Sequence, residues 1–179
     1  MIETTMFGRK MKNPLILASG VLGMTRASLE TACENGCGAV TTKSLTLEPR
    51  KGHEGPNIIE TECGLLNAMG YPNPGIEAGL KEFSGWKHNE PMIISIVGKD
   101  EKEFGMLAAM VEETKKALNA SALEAVISCP PTPGYGVMAG QGTPESVTTI
   151  TNAIKEKTKL PLIIKLSPSV PGEVKVAEA

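Results

Sequence analysis

Leu123-Glu124-Ala125-Val126-Ile127-Ser128-Cys129-Pro130 is a short apolar run that stops at a thiol and opens into a loop. The loop, residues 130–142, holds four glycines and three prolines. An apolar run of this length bounded by Gly and Pro reads as a buried strand. The same pattern recurs at 14–18, 39–43, 92–97 and 160–166. Between these runs lie helical patterns. Residues 28–35 read as a short helix opened by Ser28 and closed at Gly36. Residues 76–83 form a second. Residues 101–119 carry helical spacing at Phe104, Leu107, Ala108 and Val111. Residues 144–158 begin with Pro144, a residue suited to the first helical turn. A last helix starts at Gly172. Residues 44–74 read as one long loop.

Alternating apolar strands and helices mean an α/β protein with a parallel sheet covered by helices. Two architectures compete. A doubly wound sheet that binds a nucleotide carries a glycine-rich turn after its first strand, and Ala18-Ser19-Gly20-Val21-Leu22-Gly23 matches that pattern poorly. In a (β/α)8 TIM barrel all strands deliver their C-terminal ends to one site. Here those ends are Ser19, Lys43, Gly98, Cys129 and Lys165, a set of small, cationic and nucleophilic groups. The expectation is therefore a (β/α)8 barrel, incomplete in this chain, with about five of the eight strands. Residues 1–179 are expected to be the N-terminal part of a single domain.

Composition narrows the function. Of 179 residues, 41% are hydrophobic but only 3% aromatic, so the core is aliphatic, with nine methionines as gap fillers. A net charge of −2 gives no sign of a nucleic-acid partner. No apolar stretch reaches the ~20 residues of a membrane span, and Met1-Ile2-Glu3 does not begin a signal peptide. The four cysteines, at 33, 37, 63 and 129, form no paired ligand motif; Cys33 and Cys37, the one close pair, are expected to be small buried thiols rather than metal ligands, in a reduced cytoplasmic protein. His53 and His88 read as surface groups.

Lys43 and Lys165 end the second and fifth strands. One lysine at a strand end is as well explained by solvation. Two at matching ends, with Cys129 between them, favour a site. A second informative stretch runs from Gly64 to Gly75. There Asn67 offers both a donor and an acceptor, and Gly70 allows a close backbone approach to a ligand.

The motifs Ala18-Ser19-Gly20, Thr42-Lys43-Ser44-Leu45-Thr46-Leu47-Glu48-Pro49-Arg50, Leu66-Asn67-Ala68-Met69-Gly70, Asn73-Pro74-Gly75, Ile127-Ser128-Cys129-Pro130 and Ile164-Lys165-Leu166-Ser167-Pro168 are together similar to the class 1 dihydroorotate dehydrogenases. The forms at 48–50 and 67–70 resemble class 1B, the NAD-linked heteromeric type. The resemblance implies FMN in the barrel mouth and oxidation of (S)-dihydroorotate to orotate in pyrimidine synthesis. It implies Cys129 as the base that removes a proton while hydride passes to the flavin. Ser19, Gly20, Lys43, Ser44, Ser95 and Lys165 would contact FMN. Lys43, Asn67, Ala68, Met69, Gly70 and Tyr71 would hold the substrate. An iron–sulfur flavoprotein electron-transfer subunit and a homo-oligomer are the implied partners. The sequence departs from the family at Ser95, Val126 and Pro131, where asparagine is usual. Two other readings stay open: a flavin barrel like that of dihydropyrimidine dehydrogenase, and a non-catalytic remnant that binds a partner chain.

Overall fold

Five apolar runs become one parallel sheet, and their order settles the architecture. The computed structural model describes residues 2–20, 22–127, 134–136, 141–166 and 173–178. The chain opens with an antiparallel hairpin, β1 (Thr4–Met6) and β2 (Arg9–Met11). The parallel sheet contains β3 (Ile16–Leu17), β4 (Ala39–Thr41), β7 (Met92–Ile96), β8 (Ala120–Val126) and β9 (Leu162–Lys165). They stand in the order in which the chain makes them, all parallel. A doubly wound sheet reverses direction at a switch point; a sheet that adds each strand to the same edge is the winding of a barrel wall. The expectation of a partial barrel holds, as five parallel strands forming a half-barrel.

Helices connect the strands: α1 (Arg26–Glu34), α2 (Ile76–Phe83), α3 (Glu101–Leu118), α4 (Pro144–Lys157) and α5 (Glu173–Glu178). Leu29 of α1, Phe83 of α2, Phe104, Leu107 and Val111 of α3, and Val147, Ile150 and Ile154 of α4 share one buried cluster with Val40, Ile94, Ile96, Leu123 and Ala125 of the strands. Side chains alternate across a strand. The residues between these core positions, Thr41 and Lys43, Ser95 and Val97, Glu124 and Val126, Lys165, therefore share the opposite face. One face of the sheet holds the aliphatic core, and the other carries the polar groups.

Several boundaries differ from the sequence expectation. Helix α1 begins before Ser28. Thr25 is its cap and accepts from Ser28 N at 3.3 Å, while the Ser28 hydroxyl donates back to Thr25 O at 2.7 Å; the Thr cap satisfies one of the free amides of the first turn. At its other end Asn35 is the cap residue, its amide side chain donating to Thr31 O at 2.8 Å. Strand β8 starts at Ala120, earlier than 123, because Asn119 in a left-handed conformation stops α3 and turns the chain directly into the sheet. Arg9 Nη2 donates to Asn119 Oδ1 at 2.8 Å and ties the N-terminal hairpin to that turn.

The expected loop 44–74 contains a hairpin, β5 (Ile58–Thr61) and β6 (Gly64–Asn67), exposed along its whole length. Its base is braced by Asn73. The Asn73 Oδ1 accepts from Thr46 N at 3.1 Å and Gly75 N at 2.9 Å, and Nδ2 donates to Tyr71 O at 2.8 Å. One buried amide thus locks the end of the long connection to its beginning.

Candidate functional site

The polar face of the sheet brings the predicted residues together around one they did not include. Glu124 sits in the middle of β8, 8% exposed. Its Oε1 accepts from Ser95 Oγ at 2.7 Å and from Ser19 Oγ at 2.9 Å. Ser95 Oγ lies 3.0 Å from Ser44 Oγ. Lys165 Nζ donates to Ser19 Oγ at 2.7 Å and stands 3.8 Å from Glu124 Oε1. Ser19, Ser44, Ser95 and Lys165, expected at one site, are joined through this carboxylate. The signal for Glu124 was in the sequence: a charge inside an apolar strand has to be paired.

Lys43 follows β4 and is only 7% exposed. Burial, and secondarily the neighbouring Lys165 ammonium, lowers its pKa below the usual lysine value. A lysine desolvated in this way gains from an anionic or electron-rich ligand. Ser95 is fully buried and its backbone N–H donates to Thr42 Oγ1 at 3.0 Å, which fixes β7 against the end of β4. Val126 packs with Val97, Tyr135 and Tyr71 in a small apolar cluster, so this part of the mouth is lined by hydrocarbon.

The residues expected to hold the substrate lie on the long connection between β4 and α2. Asn67 is the exposed last residue of β6. Ala68 N donates to Asn57 O at 2.9 Å and Met69 O accepts from His53 N at 3.1 Å, both within the long connection. Gly70 has a positive φ of 72°, and a Cβ there would lie 2.7 Å from His53 Cδ2. The missing side chain lets the Gly70 backbone pack directly against His53. Gly20, also at positive φ, is exposed at the turn after β3. Tyr71 faces Tyr135, their ring centres 6.0 Å apart, and Arg50 lies 4.8 Å above the Tyr135 ring. Gln141 ties this region down. Its Nε2 donates to Gly98 O and Lys99 O, each at 2.8 Å, and its Oε1 accepts from Gly136 N at 2.9 Å. Cys129, Ser128, Pro130, Pro131, Ser167 and Pro168 lie outside the described residues.

At the opposite end of the sheet Cys33, His88 and Glu90 lie close together. His88 is a half-buried ring tilted against Trp86, the ring centres 4.8 Å apart, rather than a plain surface group. Lys12 Nζ donates to Glu90 at 2.8 Å and to Cys33 O at 2.7 Å, so a cation already occupies the cluster. Burial pushes the Cys33 thiol up to about 12, which keeps it protonated and unreactive.

Fold and site define a class: a β/α barrel wall whose strand ends carry two lysines, a carboxylate and three serines into one mouth, an arrangement suited to a polar, anionic ligand. The family model for dihydroorotate dehydrogenase matches residues 1–179, and the chain belongs to that family. It is 49% identical over 170 residues to the dihydroorotate dehydrogenase B (NAD(+)) catalytic subunit of Pyrococcus abyssi, covering 95% of this chain and 55% of that protein. It is 43% identical to the Pyrococcus furiosus protein of the same description, covering 99% and 57%, and 39% identical to that of Methanocaldococcus jannaschii, covering 100% and 58%. The chain spans little more than half the length of these relatives. The crystal structure of DHODH in complex with ferulenol from Eimeria tenella superposes with a TM-score of 0.79 at 17% identity, covering 96% of this chain and 54% of that one, a likeness of fold. Among the described residues, no helix is long and apolar enough to cross a membrane.

Proposed function

We propose that residues 1–179 are the N-terminal part of an FMN-binding barrel domain that oxidises (S)-dihydroorotate to orotate in pyrimidine synthesis. The observation that carries this is the mouth itself: Lys43 and Lys165, with Ser19, Ser44 and Ser95, gathered at the strand ends of a chain in this family. The donor set fits FMN, whose ring has acceptor edges and whose phosphate is anionic; the Val126 wall offers only van der Waals contact. Ser19, Gly20, Ser44, Ser95 and Lys165 would hold the cofactor. Lys43 would contact cofactor and substrate together. Asn67, Ala68, Met69, Gly70 and Tyr71 would close over the substrate. Bound FMN supplies the two-electron acceptor.

The chain's own chemistry is the proton. Cys129, three residues beyond the end of β8, would take it from the substrate carbon as a thiolate. The relatives' description as catalytic subunits of a B-type, NAD-linked enzyme supports a further electron-transfer subunit, an iron–sulfur flavoprotein in this reading. A homo-oligomer in the cytoplasm completes the proposal.

The test is complementation. The chain is expressed alone and together with the C-terminal half of the Pyrococcus abyssi relative. The expected result is a yellow complex only from co-expression, bleached anaerobically by dihydroorotate and bleached far more slowly with Cys129→Ser. A colourless co-expressed pair overturns the FMN reading and favours a remnant. Stoichiometric FMN on the chain alone overturns the half-domain reading.

A further inference from the structure

A carboxylate in the middle of a strand that is buried from end to end needs a reason. Burying a charge is costly unless its lone pairs are used and an opposite charge is near. Ser19 and Ser95 do not need a carboxylate for their own sake, since a serine hydroxyl can satisfy itself on a nearby backbone carbonyl. Yet one oxygen of Glu124 collects both hydroxyls, and with them groups from four strand ends. Ser19 follows β3 and relays Lys165 of β9. Ser95 of β7 relays Ser44, which follows β4. Lys165, in turn, lies next to Glu124 across the ladder, where Val126 is its register partner.

We propose that Glu124 is the positioning residue of the mouth: through Ser19 it fixes where the Lys165 ammonium points, and through Ser95 it fixes the Ser44 hydroxyl. This rests on the reading of Lys165 and Ser44 as ligand contacts. The ligand then meets donors already held in place and loses less affinity to ordering them. Glu124 itself needs no contact with the ligand.

Site-resolved lysine acylation tests this without any flavin. The intact chain, its Glu124→Gln variant and its Ser19→Ala variant are treated with a limiting acetylating reagent, and modification is read residue by residue by mass spectrometry. An ammonium held in a hydrogen-bonded relay reacts slowly. Lys165 should be acylated severalfold faster in Glu124→Gln, and also faster in Ser19→Ala, which keeps the carboxylate and removes only the relay. Exposed Lys102 on α3 serves as the internal standard and should not change. Ser19→Ala keeps the test decisive where loss of the buried charge prevents folding. Wild-type reactivity of Lys165 in folded variants overturns the proposal, and so does an equal rise at Lys102, which would mean general loosening. FMN titration of wild type with the complementary half separates the two readings: no flavin uptake, with Lys165 still responding to Glu124→Gln, removes the function and leaves the positioning role.

Discussion

Gly70 shows how much local backbone shape can depend on one missing side chain. Its positive φ and the 2.7 Å clearance to His53 mean that a side chain has no room, whatever ligand the loop meets. Gly70→Ala should destabilise the chain by more than ~1 kcal/mol, since the native φ is unfavourable for alanine. A thermal melt measures it, and an unchanged midpoint would show that His53 yields freely. At this scale Ser19 and Lys165 were legible as strand ends, because a parallel barrel brings its C-terminal ends together, and they do meet; Ser44 and Ser95, which join them through Glu124, were implied only by the family resemblance. Glu124 is marked in the sequence only as a charge inside an apolar run; its partners lie on other elements, which the run itself does not encode. Its side chain faces the mouth by simple alternation, two residues before Val126 and opposite Ser95 in the ladder.

Among the elements, α3 illustrates a tie between helix and strand that periodicity cannot reveal. The Glu112 carboxylate accepts from Lys115, from Thr158 Oγ1 at 2.7 Å and from Lys159 N at 3.2 Å. It therefore pins α3 to the turn between α4 and β9. These hydrogen bonds, that of Lys115 first, lower its pKa from 4.5 to about 2. A depressed carboxylate contributes stability above its unfolded value and loses it as the pH falls through the folded one. Glu112→Gln should therefore lower stability to urea near neutrality. The difference from wild type should vanish as the pH falls from 4.5 toward about 2. The pair is partly solvated, so added salt should shrink the gap too. A gap independent of pH would mean that the loss is one of packing. Long helices with clear apolar spacing were read nearly to the residue, as at 76–83 and 101–118. The hairpin β5–β6 was missed because neither strand buries a face, so no period-two signal was written into it. The N-terminal hairpin, three residues a side, was too short to show one.

For the whole molecule, the decisive feature is a sheet with two outer strands. Among the described residues β3 pairs only with β4, and β9 only with β8. Open edges invite pairing with another chain. The exposed hairpin adds Ile58, Ile59, Leu65 at 72% and Leu66 at 62% exposed, a second adhesive surface. The chain expressed alone should self-associate, with an apparent mass by light scattering that rises with concentration. A constant monomer mass would show that the edges are protected. Winding direction was legible from strand–helix alternation and the residues at the strand ends; curvature and edge exposure depend on packing that no local pattern encodes.

The cap of α1 carries a slow clock. Asn35 is followed by Gly36, whose N–H donates to Cys33 O at 3.1 Å; when this last turn frays, the unhindered Gly36 nitrogen can attack the amide, close an imide ring and expel ammonia. Hydrolysis of that ring leaves an aspartate or its isomer. A new negative charge would then stand at the C-terminal end of a helix, where the aligned peptide dipoles disfavour it, and the amide hydrogen bond to Thr31 would be gone. Asn73, the bracket of the long loop, is exempt, because Pro74 has no amide hydrogen with which to begin that cyclisation. Stored protein should thus age at the foot of α1, on the core side of the sheet, while Asn73 keeps its amide.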